Sequence, residues 1–141
     1  MSIRIREFIF SQDYDSVHSI WVDAAPGVHV GRSDTPEEVQ KKISQDPDLF
    51  LVAEDGGILV GTVMGGFDGR RGLIYHLAVT PGAQGKGIGI DLMVEVENRL
   101  RAKGCLRCYL MVTKENTHAI EFYQKQGWEN LDDLLIFGKD I

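Results

Sequence analysis

The chain has 141 residues, enough to bury a core and too few for two ordinary domains, so a single domain over residues 1–141 is expected. Apolar residues make up 43%, charged residues 26%, and the net charge is −6. That composition excludes disorder, and with no basic run in the sequence it argues against nucleic acid as a partner. Met1–Phe10 alternates apolar and charged residues, no stretch is long enough for a membrane span, and the two cysteines fit a reducing compartment. The expected location is therefore the cytoplasm, with no membrane partner.

Ile3 and Ile5 alternate with Arg4 and Arg6, which predicts a short half-buried strand ending near Phe8. Val17, Ile20 and Trp21 then recur at helical spacing, with Ser11 or Asp13 as the expected N-cap. Ala24–Asp34 reads as a loop, and Thr35-Pro36-Glu37-Glu38 as the capped start of a second helix that stops near Asp46-Pro47. Phe50–Glu54 and Ile58–Met64 flank Asp55-Gly56-Gly57 as a hairpin, and Gly65-Gly66 suggests a bend or bulge. After the turn Asp68–Gly72 comes a strand, Leu73–Val79, antiparallel to its predecessors because the links are too short for a crossover helix. Ile88, Leu92, Met93, Val96 and Leu100 make one helical stripe that ends at Gly104. The strand Leu106–Val112 can then lie parallel to Leu73–Val79. A last helix, Thr117–Gln126, is closed by Gly127, and a final strand is expected over Leu134–Lys139. The string β α α β β β α β α β implies a mixed, mostly antiparallel sheet with about four helices on its two faces, an α/β arrangement of the α+β kind.

Gln84-Gly85-Lys86-Gly87-Ile88-Gly89 follows a strand and opens a helix. Alternate glycines clear side chains from the backbone, and the free amides of a first helical turn, reinforced by the helix dipole, favour a phosphate. A Walker A loop needs a different spacing to Gly-Lys and a following Ser or Thr, where Gly87 stands. The dinucleotide fingerprint needs glycine where Ile90 stands, after a parallel strand. Neither nucleotide motif fits.

At this loop the chain resembles the GNAT superfamily of N-acetyltransferases. Gln84-x-x-Gly87-x-Gly89 after Leu77-Ala78-Val79-Thr80-Pro81 looks like its acetyl-CoA signature. Asn116-x-x-Ala119-x-x-x-Tyr123 followed by Gly127-Trp128 resembles its second motif. The order of elements matches that fold over nearly the whole chain, most closely the small bacterial enzymes related to the ribosomal-protein-alanine acetyltransferases.

The resemblance implies transfer of an acetyl group from acetyl-CoA to a primary amine by direct attack through a tetrahedral intermediate, with no metal. The acceptor would be a small amine, an amino acid or a protein N-terminus, and a homodimer is compatible with the sequence. Diphosphate binding falls to Gln84, Gly85, Lys86, Gly87, Ile88 and Gly89. Pantetheine pairing falls to the backbone of Leu77, Ala78 and Val79, and to Asn116, whose amide both accepts and donates. A β-bulge near Leu77 would aim an N–H at the thioester oxygen. Tyr123 is the expected acid for the departing thiolate, a phenol being protonated at neutral pH.

The base departs from the family pattern. Met111 stands where the alanine-acetyltransferase branch has glutamate, and Leu73 and Tyr75 fill the positions used elsewhere in the superfamily. Tyr75 could hold a relaying water, and alternation predicts that it shares a face with Leu77 and Val79 while His76 faces away. His76, despite that facing, and His29, in the Ala24–Asp34 loop that would border the acceptor pocket, are further candidates, since an imidazole is suited to take a proton near neutrality. The rival reading is an acyl-CoA-binding module that keeps the loop without the chemistry. Cys105-x-x-Cys108 has no second pair for zinc and follows a helix instead of opening one, so it carries no predicted role.

Overall fold

A computed structural model describes residues 2–141, which fall into two compact units, one ending at Met111 and one running from Val112 to Ile141. The first unit is built on strands β1 (Ile3–Glu7), β2 (Phe50–Asp55), β3 (Ile58–Phe67), β4 (Gly72–Val79) and β5 (Cys108–Leu110), with helices α1 (Phe10–Asp23), α2 (Pro36–Gln45) and α3 (Ile88–Ala102). The strands lie side by side in chain order, antiparallel until β4 and β5, which run parallel. The crossover between that last pair is α3, as a parallel link requires.

The two faces of the sheet bury separate layers. On one, Val17, Ile20 and Trp21 of α1 and Val39 of α2 pack with Phe8, Phe50, Val52, Met64 and Ala78, and Phe8 stacks on Phe50 with centroids 4.1 Å apart. On the other, α3 buries Ile88, Leu92, Met93, Val96 and Leu100. Gly65 is what lets α3 come close. A Cβ there would meet Val96 Cγ2 at 2.9 Å, inside carbon–carbon contact distance. This corrects the reading of Gly65-Gly66 as a bulge: both residues pair regularly, with Ile74 and Leu73, and the register breaks instead at Ala53/Glu54 and at Thr62/Met64.

Three other expectations change. Helix α1 starts at Phe10 with Ile9 as its cap residue, not at Ser11 or Asp13. Asp13 lies inside the first turn, where its carboxylate accepts from Ile9 N–H at 2.7 Å and from both arms of the Arg6 guanidinium at 2.7 and 2.9 Å. Helix α2 is capped by Thr35 as expected, but the Glu38 carboxylate takes Lys41 at 2.9 Å. The strand at Leu106–Val112 is reduced to Cys108–Leu110, the stretch that finds a partner in Gly72–Ile74.

In the second unit, helix α4 (Thr117–Lys125) forms where its spacing predicts, and Gly127 follows it at φ +91°. The final strand over Leu134–Lys139 does not form. Its residues have no ladder partner, Leu134 N–H turns back to the Leu131 carbonyl at 3.2 Å, and Leu135 and Phe137 are 83% and 89% exposed. Apolar side chains favour a strand only where a neighbouring strand supplies the hydrogen bonds.

Candidate active site

β4 ends at Val79, a short 3-10 turn over Pro81–Ala83 buries Ala83, and the glycine loop leads into α3. The chain turns at Gly85 and Gly87 with φ of +77° and +82°, a left-handed conformation that glycine adopts without strain. Gly87 is the N-cap residue of α3, and no side chain caps the helix. The first rung of the helix is Asp91 N–H to the Gly87 carbonyl at 3.0 Å, so the amides of Ile88, Gly89 and Ile90 precede the ladder. Gln84 to Gly87 are all exposed. Gln84 Nε2 donates to the Val79 carbonyl at 3.0 Å, tying the loop to the end of β4, and Lys86 Nζ reaches the Gly82 carbonyl at 3.4 Å. A Cβ at Gly82, Gly85 or Gly87 would meet no atom within 4 Å. The loop is therefore a backbone surface with open space above it, suited to an anion that must approach closely.

β5 pairs with β4 only over Gly72–Ile74. Among the described residues no strand covers the outer edge of β4 from Tyr75 to Val79, so Leu77, Ala78 and Val79 form a stretch of open sheet edge that an extended ligand could join. The expected bulge lies in this stretch. Tyr75 pairs with Met64 and Ala78 with Thr62, which leaves His76 and Leu77 facing Val63 alone.

The bulge overturns the predicted facing of Tyr75 and His76. Strict alternation holds only while the ladder is regular, and here it resets: Tyr75 and Ala78 both pack on the α1 layer. His76 shares that side. Its ring meets Trp21 edge-on at 5.0 Å and Tyr75 at 5.8 Å, and its Nε2 lies 2.9 Å from Asp34 Oδ1. Asp34, 6% exposed, also accepts Gly31 N–H at 2.9 Å through Oδ2, and its carbonyl accepts the Tyr14 hydroxyl at 2.7 Å. Tyr14 is raised above the ordinary phenol value by burial and by the negative charges of Asp34, Glu37 and Asp15. Trp21 Nε1 is buried with no hydrogen-bond partner.

A cleft of about 890 Å³ lies between β3, β4 and α2, with Asp34, Val39, Lys42, Met64, Tyr75 and His76 on its walls. Lys42 Nζ donates to the Gly65 carbonyl and to Asp46 Oδ2 at 3.0 Å, and it sits 5.8 Å from the Tyr75 ring centre. His29 is exposed and does not line this cleft. Asp34 escaped sequence reasoning because it stands 42 residues from His76, and no motif spacing links a loop residue to a strand.

In the second unit, Asn116 Oδ1 accepts Ala119 N–H at 3.2 Å and caps α4, which leaves its amide N–H groups to donate. Tyr123 packs against Phe122 and Trp128 at 5.2 and 6.3 Å, and burial pushes its phenol up to about 12. Met111 and Leu73 are 58% and 36% exposed. Cys105 and Cys108 are free thiols, and burial, reinforced by Cys105, pushes Cys108 up to about 11, so it lacks the thiolate character of a redox cysteine. Among the described residues no three His, Cys, Asp or Glu side chains come together as a metal cluster, and no helix is long and apolar enough to cross a membrane.

Residues 14–128 match the Acetyltransferase (GNAT) family. The chain belongs to that family. It is 43% identical to an acetyltransferase of Sodalis glossinidius over 109 residues, 77% of each chain. The fold of this GNAT protein is shared by Ard1 from Thermoplasma volcanium, with a TM-score of 0.79, 26% identity, and coverage of 90% of this chain and 82% of that one. It is shared equally by the PaiA N-acetyltransferase of Thermoplasma acidophilum, solved in complex with coenzyme A, with a TM-score of 0.79, 23% identity and coverage of 89% of each. The mixed sheet and its helices are thus the GNAT fold, and the protein is an acetyltransferase of the GNAT type.

Proposed function

We propose that this acetyltransferase carries the acetyl group of acetyl-CoA to the primary amine of a small molecule, an amino acid or a peptide N-terminus, acting as one domain over residues 1–141. The observation that carries the reading is the uncapped start of α3, where Gly85 and Gly87 leave a bare backbone and the amides of Ile88, Gly89 and Ile90 precede the hydrogen-bond ladder. A diphosphate is the ligand that such a helix start favours. The open edge of β4 from Leu77 to Val79 supports a pantetheine arm lying alongside it as an added strand, and Asn116 retains the donors to bind an amide. Coenzyme A in the PaiA complex supports the same choice of donor.

Tyr123 is our choice for the acid that protonates the departing thiolate. With its phenol pushed up to about 12 by burial, it holds its proton throughout the neutral range. Replacing it by phenylalanine is expected to lower kcat about a hundredfold at neutral pH, with the affinity for coenzyme A unchanged. Equal rates for Tyr123→Phe and wild type across pH would remove the assignment.

The exposed Met111 and Leu73 at the family's base positions favour a second reading, an acyl-CoA-binding module without turnover. Incubation with acetyl-CoA and ethanolamine, ornithine or a tripeptide amide, with free thiol followed over time, separates the two. Amine-dependent thiol release supports the enzyme. Calorimetric binding of coenzyme A with no thiol release supports the module.

A further inference from the structure

The acetyl transfer proposed above finds no carboxylate or imidazole at the three positions the family uses, Met111, Leu73 and Tyr75, yet a substrate ammonium must lose a proton before its nitrogen can attack. We propose that His76 takes that proton, that Asp34 positions it, and that the cleft in front of them receives the amine. The inference rests on the amine-acetylation reading and names the acceptor side of the same site.

Four observations converge on His76. It has φ +56°, the one positive value among the described non-glycine residues, a left-handed conformation that is strained for an L-residue. The β4 bulge that imposes this conformation turns the imidazole into the α1 layer, onto Asp34 and Trp21. Asp34 is ordered independently by Gly31 N–H and Tyr14, so its carboxylate meets the ring already in place. An acceptor-only carboxylate at Nε2 requires that nitrogen to carry the hydrogen, which puts the lone pair on Nδ1. Among the described residues Nδ1 has no hydrogen-bond partner, and since Trp21 Nε1 is the one buried side-chain polar atom left unpaired among them, Nδ1 retains contact with solvent. The chain one residue on is Leu77, the backbone N–H that the resemblance aims at the thioester oxygen.

The cleft suits the amine in size. At about 890 Å³ it falls in the range of small-molecule sites. The charged groups that line the cleft with His76 are Asp34 from the loop before α2, Glu38, Lys41, Lys42 and Asp46 from α2 and its end, and Asp68 and Arg71 from the β3–β4 turn, while Trp21 of α1 and Tyr75 of β4 pack against the ring. Lys42 is already held by Asp46 and the Gly65 carbonyl. A phenol such as Tyr75 is the wrong type of group for a base near neutrality, where an imidazole is the right one.

The balance of the reaction is complete. The ammonium gives one proton to His76 Nδ1, and Asp34 stabilises the imidazolium through Nε2–H. The amine nitrogen forms its bond to the acetyl carbon to give a tetrahedral oxyanion, which collapses as the carbon–sulfur bond breaks. A second proton leaves the nitrogen while the third stays on the amide, Tyr123 protonates the thiolate and is replenished by that second proton, and His76 returns its own to water. One amine is acetylated, one thiol is freed and one proton is released.

The test measures thiol release from acetyl-CoA with the best acceptor of the panel above, for wild type, His76→Ala and Asp34→Asn, beside thermal unfolding and coenzyme A calorimetry. Asp34→Asn can keep the Gly31 bond through its oxygen while its amide donates to Nε2, which moves the ring hydrogen onto Nδ1 and removes the base. Each variant is expected to lose about a hundredfold or more in kcat at neutral pH and to bind coenzyme A within threefold of wild type. Imidazole in solution should restore part of the His76→Ala rate and none of the Asp34→Asn rate. Both deficits should shrink as pH rises toward the amine's own pKa, because a free amine needs no base. Retention of kcat within threefold in either folded variant, or a deficit constant with pH and untouched by imidazole, overturns the assignment. A wild type that binds coenzyme A and releases no thiol with any of these amines overturns the amine-acetylation reading, and the proposal with it.

Discussion

Replacing Gly87 by alanine separates the two consequences of a left-handed glycine at a helix start. At φ +82° an alanine is strained by about 1–2 kcal/mol, and with no atom within 4 Å of its Cβ no steric term is added. For a chain of this length that corresponds to a fall in Tm of roughly 3–8 °C. Gly104 is the matched control. It closes the other end of α3 with φ +91° and the same open surroundings, about 25 Å along the helix axis. Gly104→Ala should lose a similar amount of stability and leave coenzyme A binding unchanged. Gly87→Ala also places a methyl where the diphosphate must approach, so its affinity should fall at least tenfold, equivalent to 1.4 kcal/mol or more. Thermal unfolding and calorimetry at one fixed salt concentration read both quantities. Equal coenzyme A affinities for the two variants would refute the backbone cradle, whatever the stabilities.

Two further outcomes follow from the core and the α1 start. Gly65→Ala should cost about 1–3 kcal/mol, because its Cβ would lie 2.9 Å from Val96 Cγ2. Val96→Ala should recover part of that loss in the double variant, and denaturant unfolding of all four proteins gives the coupling energy. Burial works against ionisation of Asp13, but the Arg6 fork and Ile9 N–H outweigh it and hold the carboxyl below its ordinary range. The folded value therefore lies below the unfolded one of about 3.9, so the stabilisation is complete above about pH 4 and is lost as pH falls through the folded value. Asp13→Asn should lose about 3 kcal/mol at pH 7, and the gap to wild type should close in denaturant titrations below pH 4. A gap that stays constant down to pH 2 would show that the charge of Asp13 is not what stabilises the α1 start.

What could be read from the sequence were features set within one turn or one strand. Thr35-Pro36 starts a helix through its own capping oxygen, the five apolar residues of α3 face one layer because 3.6-residue spacing puts them there, and three alternating glycines expose a helix start. What could not be read depends on a partner distant in the chain. The segment Leu134–Lys139 has the composition of a strand and nothing to pair with. The Tyr75–His76 facing depends on one additional residue opposite Val63, and an inserted residue leaves no mark in the alternation of a single strand. That bulge is also why His76 does not take the face that alternation predicts. Shifting the register by one turns His76 from the layer of α3 to the layer of α1, where Asp34 and Trp21 meet it. If His76 is the base proposed above, the absence of glutamate at Met111 and of a base at Leu73 does not remove the chemistry, since a histidine displaced by a bulge reaches the same side of the sheet as the cleft from a position that family spacing does not mark.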